Sequence, residues 1–313
     1  MNVFAQSGKS DLATVYLASD RGGRSLEFVE SVQPPLPKEK KWVILVSSLF
    51  GCPVKCRFCD AGTLYQGKPG PEEIMFQIDY LVSKYYPDRH IPVSKWKIQF
   101  ARMGEPALNT AVISVLEMLP SQYRAPGLLP SLSTIAPAGC EPFFSKLLDV
   151  NKSIYQGRFQ LQFSIHSTDE LYRDRLIPLK KWGFKQISEY GEKFYITGGR
   201  KVTLNFVLGE DIILEPEVLR RYFDPKIFLV KLTPVNPTVT AMKNAVLSSI
   251  GPKDYPSQII SSLENTGFEV IYSFGEWEEN RIGSNCGQYL SRYIEEKQSI
   301  NDAYSYPVIY DDL

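Results

Sequence analysis

Excess charge of either sign is missing from this 313-residue chain, which balances 35 Lys and Arg against 35 Asp and Glu. No global field is therefore available to draw in a polyanion. Long apolar runs are missing too, so nothing in the sequence is built to cross a bilayer, and no basic, apolar, small-residue leader opens it. A cytoplasmic protein with no membrane attachment is expected. Cysteine is scarce, with five residues, and an odd number cannot pair off completely. In a reducing compartment, clustered cysteines read as metal ligands or catalytic groups before they read as disulfides. Internal repeats and low-complexity segments are also absent. What is present, 43% hydrophobic residues over this length, suffices for one large core or two modest ones. The basic clusters Lys38-Lys40-Lys41, Lys180-Lys181-Lys185 and Arg200-Lys201 read as solvated surface.

Along the chain, "ATVYLAS" and "SLEFVES" alternate apolar and polar residues around the turn signal Asp20-Arg21-Gly22-Gly23, which predicts a hairpin. Pro34-Pro35-Leu36-Pro37 then breaks regular structure ahead of the apolar run "WVILVSS". Strand and helix patterns alternate from there. "PEEIMFQIDYLVSKYY" opens on Pro71 and spaces Ile74, Ile78, Leu81 and Val82 along one helical face. "KWKIQFAR", "SLSTIA", "RFQLQFSIH", "KVTLNFVL" and "KIFLVKLTP" read as strands, with helical patterns such as "PFFSKLLDV" and "PEVLRRYF" between several of them. This order predicts a parallel sheet with crossover helices.

Residues 159–166 refine that expectation. Phe159, Leu161, Phe163 and Ile165 share one face of the strand, while Gln160, Gln162, Ser164 and His166 share the other. A second, polar face suits a barrel whose lumen holds a polar ligand. The fold class expected is α/β, a partial (β/α)6 TIM-like barrel over 41–240 with its site at the C-terminal strand ends. A hairpin extension precedes it over 1–40. A strand-helix extension follows over 241–313, with "FEVIYSF" as its strand and a last helix from about Cys286.

Cys52, Cys56 and Cys59 fall in "SSLFGCPVKCRFCDAG", directly after the first expected barrel strand, in the pattern C-x3-C-x2-C with Phe58 before the last cysteine. Three thiolates suit an iron-sulfur cluster better than structural zinc, which usually takes four protein ligands. A 4Fe-4S cluster held by three cysteines leaves one iron open, where S-adenosylmethionine can chelate through its amino and carboxylate groups. A zinc site or a chance grouping is the alternative reading of the spacing alone.

With "ARMGEPALN", "LSTIAP", "FSIHSTDELYRDRLIP", "KVTLNFVL", "TPVNP" and "SNCGQ" following in order, the sequence from about residue 25 onward resembles the radical S-adenosylmethionine enzymes, and within them the RlmN/Cfr family of adenosine C-methyl synthases. The resemblance implies that Gly104 and Glu105 bind the methionine end of the cofactor, with Glu105 accepting from its ammonium. It implies that Ser133, Ser164 and Asn236 contact the cofactor from the third, fourth and sixth strands. Cys286 matches the family cysteine that is methylated and then adds to the substrate ring. An external one-electron donor of the flavodoxin or ferredoxin kind is implied as partner. His166 reads either as a group near the cofactor or as one orienting the backbone, and His90 as loop surface.

Two departures accompany the resemblance. The family's second catalytic cysteine, which resolves the covalent adduct, is replaced by Leu45; Cys140 is either a stand-in or a packing residue at a helix start. The small helical RNA-binding domain of ribosomal RNA-modifying members is also not expected ahead of the barrel. Together with the zero net charge, this argues against large structured RNA as substrate. The expected substrate is a nucleobase in RNA, a smaller nucleotide-like molecule or another metabolite. Two alternatives keep their place: Cys286 as a hydrogen-atom donor or substrate anchor without methyl transfer, and a non-catalytic remnant binding RNA or protein.

Overall fold

The computed structural model describes residues 1–32, 34–251, 254–275, 277–285, 288–290, 306 and 309–310. The chain enters through β1 (Asn2–Lys9), β2 (Ala13–Ser19) and β3 (Ser25–Val32), reaches β4 (Trp42–Val46), and makes a small side ladder from β5 (Phe50–Gly51) and β6 (Tyr65–Gly67). Next come α1 (Pro71–Tyr85), β7 (Trp96–Phe100), α2 (Ala111–Gln122), β8 (Leu128–Thr134), α3 (Glu141–Val150) and β9 (Gln160–Ser164). The second half runs α4 (Glu170–Leu176), α5 (Phe184–Phe194), β10 (Val202–Leu208), α6 (Pro216–Tyr222), β11 (Phe228–Pro234), α7 (Val239–Lys243), α8 (Ser257–Asn265), β12 (Val270–Tyr272), α9 (Trp277–Ile282) and β13 (Ile309–Tyr310).

One sheet takes in every strand but β5 and β6, in the order β12-β11-β10-β9-β8-β7-β4-β3-β2-β1-β13. Pairing is parallel from β4 through β7, β8, β9, β10 and β11 to β12, with helices as crossovers. It turns antiparallel at β3 and stays so out to β13. Side chains from β3 to β11 line one common cavity, so the parallel part curls into an open α/β barrel.

Alternation along the strands sets the two sides. In β7, Trp96, Ile98 and Phe100 are buried against the helices, and Gln99 faces the lumen. The outer side of β9 carries Leu161 and Phe163, with Phe163 fully buried. α1 begins at Pro71 and buries Ile74, Ile78, Leu81 and Val82. Burying side chains of this size is worth about 1.5–3 kcal/mol each.

The N-terminal segment is larger than a hairpin. β2 and β3 join across Asp20–Arg24, but β1 adds a further strand on the far side and pairs in turn with β13. "NVFAQSGK" escapes a strand reading because its polar residues and Gly8 dilute the alternation. "FEVIYSF" contributes β12 as a seventh parallel strand of the same sheet. Most of the helix expected from about Cys286 lies outside the described residues.

Candidate active site

The parallel strands deliver their C-terminal ends to a cavity of ≈ 350 Å³. Cys52, Cys56 and Cys59 line it together with Gly104, Glu105, Ser133, Ser164 and Asn236. Ser31 joins from β3, and Ser273, Glu279, Ser284 and Asn285 from the C-terminal segment, so all three expected parts of the chain contribute to its wall. Cys286, the residue after Asn285, lies outside the described residues.

The cysteine loop is held from several sides. Thr238 donates its hydroxyl to the Phe58 carbonyl (2.9 Å), the Asn244 amide donates to the Arg57 carbonyl (3.0 Å), and the Arg57 N–H reaches the Leu176 carbonyl (2.9 Å). Buried Asp60 accepts from the N–H groups of Thr240 (2.8 Å) and Val239 (3.3 Å) at the start of α7. The loop that offers the thiols and the segment carrying Asn236 are thereby one assembly. Sequence reading passed over Asp60, although its place directly after Cys59 was the available signal.

Cys52, Cys56, Cys59 and Cys140 are not joined in disulfides. Among the described residues, no three His, Cys, Asp or Glu side chains gather as ligands of a single ion. Burial pushes the Cys52 thiol up to about 11 and raises Cys56 as well, with the neighbouring Cys52 and Glu105 adding to the rise in Cys56. Thiols in such surroundings ionise readily only against a positive centre, which a metal cluster provides. The donor set fits a cluster with three cysteine ligands.

Glu105 is fully enclosed, and its hydrogen bonds fix both carboxylate oxygens. Oε1 accepts from the Thr134 hydroxyl (2.5 Å) and the Ala107 N–H (3.0 Å), and Oε2 from the Ile135 N–H (2.9 Å). Burial nevertheless holds its carboxyl up to about 7. A carboxylate kept in place but short of a cationic partner is suited to an ammonium. Thr134, the residue after Ser133, was not singled out from the sequence. Gly104 adopts φ +97°, and a Cβ there would stand 2.5 Å from the Leu49 Cβ, so only glycine fits the turn.

His166 ends the polar face of β9 with φ +63° and lines the cavity. Its Nδ1 accepts from the Val207 N–H (3.3 Å), so the ring orients backbone and faces the cavity at once. Burial, with Arg173 adding to it, lowers its pKa to about 3. The ring is neutral, with its proton on Nε2.

Leu45 also faces the cavity, level with Gln99 on β7. Cys140 does not line it; this thiol opens α3, half-buried against the apolar core. Lys38, Lys181, Lys185 and Lys201 each stand beside a carboxylate, namely Glu30, Asp174, Glu189 and Glu269. No helix among the described residues is long and apolar enough to cross a membrane.

No family model matches the chain. It is 30% identical over 280 residues to the probable dual-specificity RNA methyltransferase RlmN of Flavobacterium psychrophilum, covering 85% of this chain and 74% of the relative. To the protein of the same name from Desulfitobacterium hafniense it is 28% identical over 285 residues, covering 88% and 74%. A solved radical SAM methyltransferase from Sphaerobacter thermophilus shares the fold, with a TM-score of 0.65, 19% identity, and coverage of 91% of this chain and 80% of that one.

Proposed function

Because the chain belongs to the RlmN-like radical S-adenosylmethionine methyltransferases, we propose that it holds a 4Fe-4S cluster on Cys52, Cys56 and Cys59 and methylates a nucleobase by way of Cys286. The base is presented in RNA or as a smaller nucleotide. The observation that carries this reading is the convergence of the three thiols with Gly104, Glu105, Ser133, Ser164 and Asn236 on one cavity.

When bound, the cluster and S-adenosylmethionine supply a one-electron cleavage of the sulfonium, with the electron drawn from an external donor of flavodoxin or ferredoxin type. The chain's own residues orient and enclose. Glu105 accepts from the cofactor ammonium, and that cation favours the ionised carboxylate that burial alone opposes. Ser133, Ser164 and Asn236 offer polar contacts from the strand ends. Neutral His166 adds a donor without adding charge. Val54, Phe58, Ile135 and Val207 make the adjoining wall apolar and limit contact with bulk water.

A second reading has Cys286 donate a hydrogen atom or anchor substrate without methyl transfer. The observation favouring it is Leu45 at the cavity wall, where a resolving thiol would stand, with Cys140 absent from that wall.

The test is anaerobic reconstitution with iron, sulfide, S-adenosylmethionine and a reductant, followed by mass spectrometry of protein and small products. Methylated Cys286 together with 5'-deoxyadenosine supports the proposal. 5'-Deoxyadenosine without methylation favours the second reading. Neither product from a protein with its full iron content overturns both. Separate incubations with an RNA transcript and with free nucleotides identify the form of the base.

A further inference from the structure

Arg102 stands on the segment that leads from β7 to Gly104 and Glu105 and lines the same cavity, and its side chain bonds the C-terminal part of the chain. It is enclosed, with 1% side-chain exposure, and Nη2 meets Oε1 of the fully buried Glu27 on β3 at 2.6 Å. The guanidinium also donates to three successive carbonyls: Nη2 to Gly283 (2.7 Å), and Nη1 to Ser284 (2.9 Å) and Asn285 (3.2 Å). Glu27 reaches the same segment from the other side, Oε2 accepting from the Leu290 N–H at 2.9 Å. One ion pair therefore grips the chain both before and after Cys286.

A buried guanidinium is an expensive way to hold a loop. Desolvation of both charges offsets much of their attraction, and an apolar pair of similar volume would pack as well. What an apolar pair lacks is direction. A planar fork of donors aimed at consecutive carbonyls fixes the path of the backbone as well as its distance. The remaining Glu27 oxygen fixes the chain at Leu290 in the same way.

We infer that Arg102 and Glu27 are positioning residues for methyl transfer, setting the chain on both sides of Cys286 relative to the cofactor segment that begins two residues after Arg102. The inference rests on the assignment of Cys286 proposed above. It gives Arg102 a task distinct from that of its neighbours: Gly104 and Glu105 serve cofactor binding, and Arg102 serves the acceptor thiol.

The test compares the full-length wild-type protein with Arg102→Met, Arg102→Lys and Glu27→Gln by three measurements. Hydrogen exchange on the cofactor-free protein is expected to show protection at 283–285 and 290 lowered by roughly tenfold or more in Arg102→Met, the scale of losing a charge-assisted hydrogen-bond set. In the reconstituted protein, 5'-deoxyadenosine formation is expected to stay within about twofold of wild type while Cys286 methylation falls by about tenfold. Arg102→Lys, which keeps the charge but loses the fork, is expected to lie between wild type and Arg102→Met in both protection and methylation. A merely structural role would lower 5'-deoxyadenosine formation and methylation together, and that outcome overturns the inference. So does unchanged exchange at 283–285. If Arg102→Met does not fold, Arg102→Lys and Glu27→Gln decide by the same criteria. Should the wild-type protein leave Cys286 unmethylated, the functional proposal fails, while the exchange measurement still reports on the grip.

Discussion

Phe58 and His166 meet edge to face, with ring centroids 5.0 Å apart and planes at 82°. One ring comes from the cysteine loop and the other from the end of β9, so this contact ties the thiol trio to the lumen wall. It adds to the burial that, together with Arg173, lowers the His166 pKa to about 3 and keeps the ring neutral. Long-range proton-nitrogen NMR spectra should show the His166 ring as a single Nε2–H tautomer, unchanged from about pH 5 to 8. A titration midpoint near 6 would contradict the enclosed geometry.

Glu105 gives a pH prediction of definite sign. Its folded-state pKa, about 7, lies above the ordinary 4.5, so its contribution to stability is complete below 4.5 and is lost as pH rises through about 7. Cofactor-free protein should therefore gain thermal stability from Glu105→Gln at pH 8 relative to the effect of the same change at pH 4.5. Cofactor affinity should move the other way, with the substitution weakening S-adenosylmethionine binding. A melting-temperature difference between the two proteins that does not change with pH would show that the carboxyl is not strained by burial.

Gly104→Ala places a methyl group against Leu49 and forces a non-glycine residue to positive φ, a strain of about 1–3 kcal/mol. Calorimetry should find weakened cofactor binding, and thermal unfolding a lower midpoint. Wild-type values for both would mean that the turn relaxes freely.

Asp60→Ala removes the acceptor that joins the cysteine loop to the start of α7 and should cost about 0.5–2 kcal/mol, as other lost helix-start acceptors do. The more telling measurement is iron content after reconstitution, which should fall while far-ultraviolet circular dichroism stays near wild type. Full iron loading would show that the loop keeps its shape without the clamp.

Leu45→Cys restores a thiol to the cavity wall at the position where the wider family has its resolving cysteine. If a covalent Cys286 adduct forms, mass spectrometry should find it in the wild-type protein and find less of it in the variant. Cys140→Ala, at a residue that does not line the wall, should leave adduct levels as they are. An adduct that rises in Cys140→Ala alone would instead make that residue the stand-in.

Periodicity made much of this fold legible, most clearly in β9. Gln160, Gln162 and Ser164 alternate with Leu161 and Phe163, which calls for polar partners on one side; the cavity meets that face at Ser164 and His166, and Gln162 donates to the Ser131 hydroxyl. Local spacing likewise exposed the three thiols, because they fall within eight positions of the sequence, whereas Thr238, Asn244 and Leu176, which hold their loop, come from far along the chain. Arg102 stayed hidden because its meaning depends on Glu27 and on residues 283–285, which only the fold brings near. Thr134 stayed hidden for a related reason: its hydroxyl serves a carboxylate on the adjacent strand end, and no pattern within "LSTIAP" indicates that. β1 was missed because its stability comes from β2 and β13 rather than from its own composition.

The pairing of β1 with β13, and of Glu27 with Leu290 across 263 residues, separates the molecule by how far along the chain its contacts reach. Barrel strands find neighbours within one crossover, whereas the wall that Ser284 and Asn285 line forms only after the N-terminal strands and the C-terminal segment have met. Closing so long a loop costs conformational entropy that short-range pairing does not, which places this wall late in assembly. A protein nicked between β11 and β12 would thus keep its barrel while losing the tether that brings the last wall back. Sensitivity of activity to such a cut, with the barrel intact, would mark the C-terminal wall as a separately opening unit rather than a fixed part of the enzyme.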